Sequence, residues 1–343
     1  MRYIGSKVLL LDYINSVVDE LAPEAKSMCD IFSGTASVSR YFKEKFEIIS
    51  NDLLYFSYVL QKATIENNFI PNFEEVKSVL GINDVFSYLE NEKYPDVEKI
   101  GFFYNNFSPN GGRMYITDDN ALRIDSSRLF VEDWKRRKLL SENEYYYLIA
   151  CIVEGIPFIS NISGTYGAYH KTWDKRAHKS FKLFKLEVVD NMKNNKSYNE
   201  DGNNLVRKIS GDILYIDPPY NERQYLPNYH LLETAALYDY PEVKGKTGVR
   251  PYQDKKSKFC MKKTVLSTFE DLVTNSNFKH VLLSYNSEGL MTSDQIESVM
   301  KKIGKEETFR IIEIPYRRFK SRSTNHDGEI HEFIYYIEKD LKK

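Results

Sequence analysis

The chain has 343 residues, a formal net charge of −1, 42% hydrophobic and 28% charged residues. That length suits two domains, or one domain with a large insertion, and the composition supplies both a core and a hydrated surface. No signal peptide or membrane-length apolar run is read, and Cys29, Cys151 and Cys260 are scattered, which excludes a membrane protein, a disulfide frame and a zinc knuckle and places the chain in a reducing cytoplasm. His170, His178, His230, His280, His326 and His331 show no paired ligand spacing, so no metal is expected.

At the start of the chain, Tyr3, Gly5 and Lys7 put an aromatic ring, a glycine and a cation just ahead of an amphipathic helix expected over 9–21. Residues 26–31 read as a strand. Phe32, Ser33, Gly34, Thr35, Ala36 and Ser37 form a small-residue turn, and 38–42 a helix. Strand, small turn and helix open a nucleotide-type βα unit. A second strand, 47–50, ends in Asn51 and Asp52. An acid at that strand tip, about 20 residues after the glycine, is where such folds grip ribose hydroxyls.

A helical pattern runs over 56–67, and 102–112 reads as a loop rich in hydrogen-bonding side chains. Helices are expected over 126–137 and 141–154, the second opening on the capping-box pair Ser141 and Glu144. Residues 161–171 mix glycine with Tyr166, Tyr169 and small polar residues. They lead into a basic stretch of Lys171, Lys175, Arg176, Lys179, Lys182 and Lys185, a pattern suited to close approach to a DNA groove. Residues 193–204 read as a polar, mobile loop.

The apolar run Ile213, Leu214, Tyr215, Ile216 then stops at Asp217, Pro218, Pro219, Tyr220. A buried strand ended by an acid and two prolines places these residues at the carboxyl end of a sheet, where ligands bind in open α/β folds. The cluster suits methyl transfer to an amine conjugated with a ring. The Asp217 carboxylate and the Pro218 carbonyl could each accept one N–H, aiming the nitrogen lone pair at a methyl donor. Proline at 218 and 219 restricts that carbonyl, and Tyr220 offers a flat face for a base drawn out of its stack. Downstream come a helix over 229–238, a basic loop over 244–263 that includes Arg250 and Lys255, a strand over 280–285 and a helix over 294–302. Two alternating segments, 310–316 and 332–337, read as a hairpin whose connection carries Arg318 and Arg322. Three local basic strips can track phosphates although the whole chain is near neutral.

Taken together, Tyr3, Gly5 and Lys7, Phe32 and Gly34, Asp52, and Asp217 to Tyr220 resemble the Dam-like DNA adenine-N6 methyltransferases whose motifs run in the alpha order. The resemblance covers the framework at both ends of the chain. It departs in having Tyr3 where tryptophan is frequent and a loop reading FSGTA rather than FxGxG. It implies that Tyr3, Gly5, Lys7, Phe32, Gly34, Asp52 and Asp217 contact S-adenosyl-L-methionine. An acid near the cofactor's adenine amine is also implied, either Asp201 or Asp212. Asp217, Pro218, Pro219 and Tyr220 would form the catalytic motif.

The expected architecture is a Rossmann-like α/β methyltransferase sheet with a C-terminal antiparallel hairpin and an inserted, mainly helical target-recognition domain. Residues 1–58 and 186–343 would form the catalytic domain and 59–185 the insertion. DNA contacts are expected from Tyr166, Lys171, Lys175, Arg176, Arg250, Lys255, Arg318 and Arg322. The expected substrate is adenine N6 in duplex DNA, and family habit adds a companion restriction endonuclease. Cytosine N4, RNA or a protein amide remains open as target, as does an inactive DNA-binding regulator; Asp217, where serine or asparagine is commoner for the other amines, favours adenine.

Overall fold

The computed structural model describes residues 5, 7–314 and 331–340. In chain order the helices are α1 (Leu11–Leu21), α2 (Ser37–Phe42), α3 (Tyr55–Gln61), α4 (Glu74–Leu80), α5 (Val85–Asn91), α6 (Val97–Ile100), α7 (Phe102–Phe107), α8 (Asp118–Arg136), α9 (Glu142–Gly155), α10 (Gly202–Leu205), α11 (Tyr225–Leu237), α12 (Val265–Asn275) and α13 (Ser293–Ile303). The strands are β1 (Ser27–Asp30), β2 (Glu47–Asn51), β3 (Lys196–Tyr198), β4 (Ser210–Ile216), β5 (Asn277–Asn286), β6 (Arg310–Ile314) and β7 (Glu332–Glu338). None of the helices among the described residues is long and apolar enough to cross a membrane.

These elements form two compact units. One joins Gly5, Leu54–Asp190 and Tyr225–Lys255; the other holds the described parts of Ser6–Leu53, Asn191–Gln224 and Lys256–Lys343. The helical unit therefore takes in α11 and part of the basic loop, beyond the 59–185 insertion expected from the sequence.

The sheet unit is built on seven strands in the order β3-β2-β1-β4-β5-β7-β6. Strands β1 to β5 pair in parallel, while β7 runs antiparallel to both β5 and β6. The order reverses between β1 and β4, the switch point at which open α/β sheets bind ligands. Near-continuous apolar strands suit a sheet covered on both faces. Ile213, Leu214, Tyr215 and Ile216 of β4 are fully buried, as are Val281, Leu282 and Leu283 of β5. Residues 193–204, expected to be a loop, contain β3 and all but the last residue of α10. Strand β3 is legible only through its partner, with Ile49, Ser50 and Asn51 opposite Lys196, Ser197 and Tyr198.

The helical unit packs α3, α7, α8, α9 and α11 around one apolar and aromatic core that includes Phe56, Phe107, Tyr115, Trp134, Tyr147 and Tyr229. Helix α9 opens on the Ser141–Glu144 capping box. Helix α8 begins eight residues before the expected start, because Thr117 caps it and Asp118 and Asp119 fill its first turn, with Lys135 and Arg136 in the last. Residues 102–107, expected to be a loop, are helical. The Asp125 carboxylate accepts from the Phe103 and Tyr104 amides at 2.9 and 2.8 Å and so caps this short helix from outside its own sequence.

Candidate active site

The carboxyl ends of β1, β2 and β4 lie side by side in the sheet unit; β1 ends in an acid, and an acid directly follows β2 and β4. After β1 the chain turns through Ser33–Ala36, closed by Ala36 N–H to the Ser33 carbonyl at 2.7 Å. Gly34 and Ala36 both have positive φ, 52° and 60°, a conformation cheap for the glycine and strained for the alanine. Asp52, just past β2, accepts the Gly34 amide at 2.9 Å. The turn and the acid, 18 residues apart in sequence, are thus one structural unit. Asn199 ties in β3 by donating to the Asp52 carbonyl at 2.8 Å. Phe32 packs edge-on against Phe259 at 4.9 Å, and a Cβ at Gly202 would crowd Ile31 at 3.2 Å and the Phe32 ring at 3.4 Å.

Asp30, the last residue of β1, was not singled out in the sequence. It is 2% exposed, its Oδ2 accepts the Ser39 hydroxyl at 2.8 Å, and its Oδ1 is buried with no hydrogen-bond partner among the described residues. Burial pushes its carboxyl up to about 7 against the Ser39 bond, with the charges of Asp217 and Asp52 adding to the rise. An acid ending a buried strand just before a small-residue turn was the available signal.

Asp217 follows β4 and meets the Lys7 ammonium at 3.3 Å; the same ammonium lies 3.1 Å from Glu332. Lys7 is 4% exposed. Burial alone would lower its pKa, but Asp217 and Glu332 together hold it above the ordinary lysine value, so the ammonium stays charged. Burial raises Asp217 to about 6 although Lys7 opposes the rise, and Glu332 reinforces it. The Asp217 side chain keeps 18% of its surface open, so the carboxylate is desolvated yet reachable. Glu332 was read only as the start of a strand.

The chain after Asp217 is fastened on two sides. The Tyr220 carbonyl accepts the Leu290 amide at 3.0 Å. Gly289 packs flat on Tyr285, whose hydroxyl accepts the Met291 amide at 3.3 Å; a Cβ at 289 would lie 2.1 Å from the tyrosine ring. Gln224 and Ser257 exchange side-chain-to-backbone bonds of 3.1 and 2.8 Å. Pro218 is buried, whereas Pro219 and Tyr220 are half-buried.

The other expected site residues divide sharply. Tyr3, Arg318 and Arg322 lie outside the described residues. Gly5 adopts φ +78°. Asp201 is exposed and caps α10, accepting the Asn204 amide at 3.2 Å, beyond the carboxyl end of β3. Its rival Asp212 accepts the Lys26 and Ser27 amides and the Ser27 hydroxyl at the amino-terminal end of β1. It therefore staples the far end of the sheet.

In the helical unit, Lys171 and Lys175 are exposed and Lys255 is half-buried. Arg176 is half-buried, donating to the Ile162 carbonyl and pairing with Asp174 at 3.7 Å. Two expected DNA contacts are corrected. Tyr166 is 2% exposed in the core; its carbonyl takes the Tyr115 hydroxyl at 2.7 Å and lies 3.0 Å from the His230 ring nitrogen. Arg250 is 8% exposed and forks onto Asp239 at 3.0 and 2.6 Å, an internal ion pair.

A buried carboxyl oxygen without a partner among the described residues, a glycine turn locked to an acid, and an acceptor carboxylate beside a buried ammonium line one sheet edge. Such a set can hold a ligand bearing hydroxyls and a cationic end, and can accept N–H bonds from an amine. The comparisons with known proteins point the same way. The chain is 53% identical over 344 residues to the Type II methyltransferase M.FokI of Planomicrobium okeanokoites, covering 99% of this chain and 53% of that protein. It is 43% identical over 340 residues to the modification methylase StsI of Streptococcus sanguinis, again 99% of this chain and 52% of that one. It thus spans about half the length of these two relatives. With the Type II methyltransferase M.NlaIII of Neisseria lactamica it shares 37% identity over 349 residues, 99% of both chains. The family model for D12 class N6 adenine-specific DNA methyltransferases matches residues 3–299, and the chain belongs to that family.

Proposed function

We propose that this chain transfers a methyl group to N6 of an adenine flipped out of duplex DNA at a specific sequence. The observation that carries this reading is Asp217: a desolvated carboxylate at the switch-point edge, paired with Lys7 and followed by Pro218, Pro219 and Tyr220. Its carboxylate accepts one N–H of the exocyclic amine and the Pro218 carbonyl the other. This concentrates the nitrogen lone pair on one face without any covalent enzyme intermediate. Tyr220 lies against the flipped base, whose extrusion costs a few kcal/mol that the pocket and phosphate contacts offset. The proton leaves the nitrogen after transfer, when it has become acidic.

S-Adenosyl-L-methionine, when bound, supplies a methyl carbon activated by a sulfonium. Lys7, Phe32, Gly34 and Asp52, with Tyr3, Gly5 and Asp201, would hold it, and Asp30 joins them because its buried Oδ1 lacks a partner among the described residues. The helical unit, with Lys171 and Lys175 exposed, would read the target. A companion restriction endonuclease in the same cytoplasm completes the reading.

The test is single-molecule sequencing of DNA from a methylation-free host expressing the chain. N6-methyladenine confined to one short context is the expected result. Unmodified DNA from cells holding folded, cofactor-binding protein would overturn it and point to RNA or protein as substrate.

A further inference from the structure

Glu332 owes its place to strand direction. Because β7 runs against β5, its first residue arrives at the edge where β1, β2, β4 and β5 end, opposite Asn286 of β5. Strand β4 lies on the other side of β5, so the backbones carrying Asp217 and Glu332 are two strand spacings apart, about 9.5 Å. The Lys7 ammonium bridges that gap at 3.3 and 3.1 Å. The Glu332 side chain is 10% exposed, and burying a carboxylate there is unfavourable unless a cation is held against it.

We propose that Glu332 is a positioning residue: it fixes Lys7 between two strands so that Asp217 shares this cation instead of being neutralised by it alone. The inference rests on Asp217 being the acceptor of the substrate amine. A carboxylate whose counter-charge is shared is more basic and accepts an N–H more strongly than one in a closed one-to-one pair. Among the described residues, the charged and titratable groups facing Asp217 are Lys7 from the N-terminal segment, Glu332 from β7, Asp30 from β1 and Tyr215 from β4. Of these only Lys7 is a cation, so removing the Glu332 charge leaves its ammonium to Asp217 and lowers the Asp217 pKa.

The test is a ¹³C NMR titration of the Asp217 carboxyl in the full chain, assigned with Asp217→Asn and run without cofactor or DNA. Wild type is compared with Glu332→Gln. The expected wild-type midpoint is near 6, with a clear move to lower pH in Glu332→Gln and a return toward wild type in Glu332→Asp. In parallel, the acid limb of the pH–rate profile for DNA methylation moves to lower pH in Glu332→Gln, and the plateau kcat falls about tenfold. An unmoved Asp217 midpoint in folded Glu332→Gln overturns the proposal. If that variant does not fold, Lys7→Met takes its place: the Asp217 midpoint must then rise, and a constant midpoint is equally fatal. Should the midpoints move as expected while wild type methylates no DNA, the charge coupling stands and the proposed reaction falls.

Discussion

Both units bury charge, but Asp125, Glu233 and Arg128 of the helical unit are held differently from Asp30 and Asp217 of the sheet unit. In the helical unit three buried ions, Asp125, Glu233 and Arg128, meet backbone groups at helix ends. Asp125 takes the Phe103 and Tyr104 amides and the Tyr238 hydroxyl. Glu233 takes the Tyr55 and Phe56 amides that open α3, and Arg128 donates to the Ala235 and Ala236 carbonyls that close α11. Anions at helix starts and a cation at a helix end complement the macrodipoles. In the sheet unit, Asp30 retains an oxygen without a partner among the described residues, and Asp217 meets a side-chain cation while staying partly open. Burial of charge therefore does not distinguish a scaffold from a site. What sets Asp217 apart is a carboxylate that meets a side-chain cation and still keeps part of its surface open.

The sharpest way to break this comparison is to delete one acid from each unit. Asp217→Ala should reduce methyl transfer by on the order of 10³ with a melting temperature equal to or above wild type, since an ionised buried group is removed. A large loss of stability there would assign Asp217 to the scaffold. Asp125→Ala should do the reverse, lowering stability by about 3 kcal/mol through three stranded donors, read by urea unfolding, with kcat per folded molecule within about twofold of wild type.

Acid sensitivity sharpens the same contrast. Methyl transfer should fall as pH drops below about 6, because protonated Asp217 loses an acceptor site. Asp30 has its pKa raised from 3.8 to about 7, so it binds protons more tightly folded than unfolded. Its contribution to stability is fully present below pH 3.8 and is lost as pH rises to about 7. In Asp30→Asn that part of the decline should vanish from a series of melting curves; an unchanged pH slope would contradict it.

The smallest effects are expected at the basic surface. Lys171→Ala and Lys175→Ala should each weaken DNA binding a few-fold and reduce the salt slope by about one without altering stability. Arg250→Ala should instead destabilise the helical unit by unpairing Asp239. Titration calorimetry at several salt concentrations, with melting curves, separates the two classes.

The sequence by itself determined the chemistry of the sheet edge, because that chemistry is local. Asp217 to Tyr220 are contiguous and stop an apolar strand, and Gly34 and Asp52 each sit at the tip of a strand whose hydrophobic run is visible. Periodicity and the Ser141–Glu144 capping box likewise announced α9. What tertiary structure alone decided was where long-range partners land. Glu332 reaches the site only because β7 runs antiparallel, and its direction depends on pairing with β5, about 50 residues earlier in the chain. Helix α7 forms because Asp125, some 20 residues downstream, supplies its cap, and β3 because β2 offers an edge. Tyr166 and Arg250 looked like surface contacts since residue type does not reveal burial; the Tyr115 hydroxyl and Asp239 claimed them for the interior.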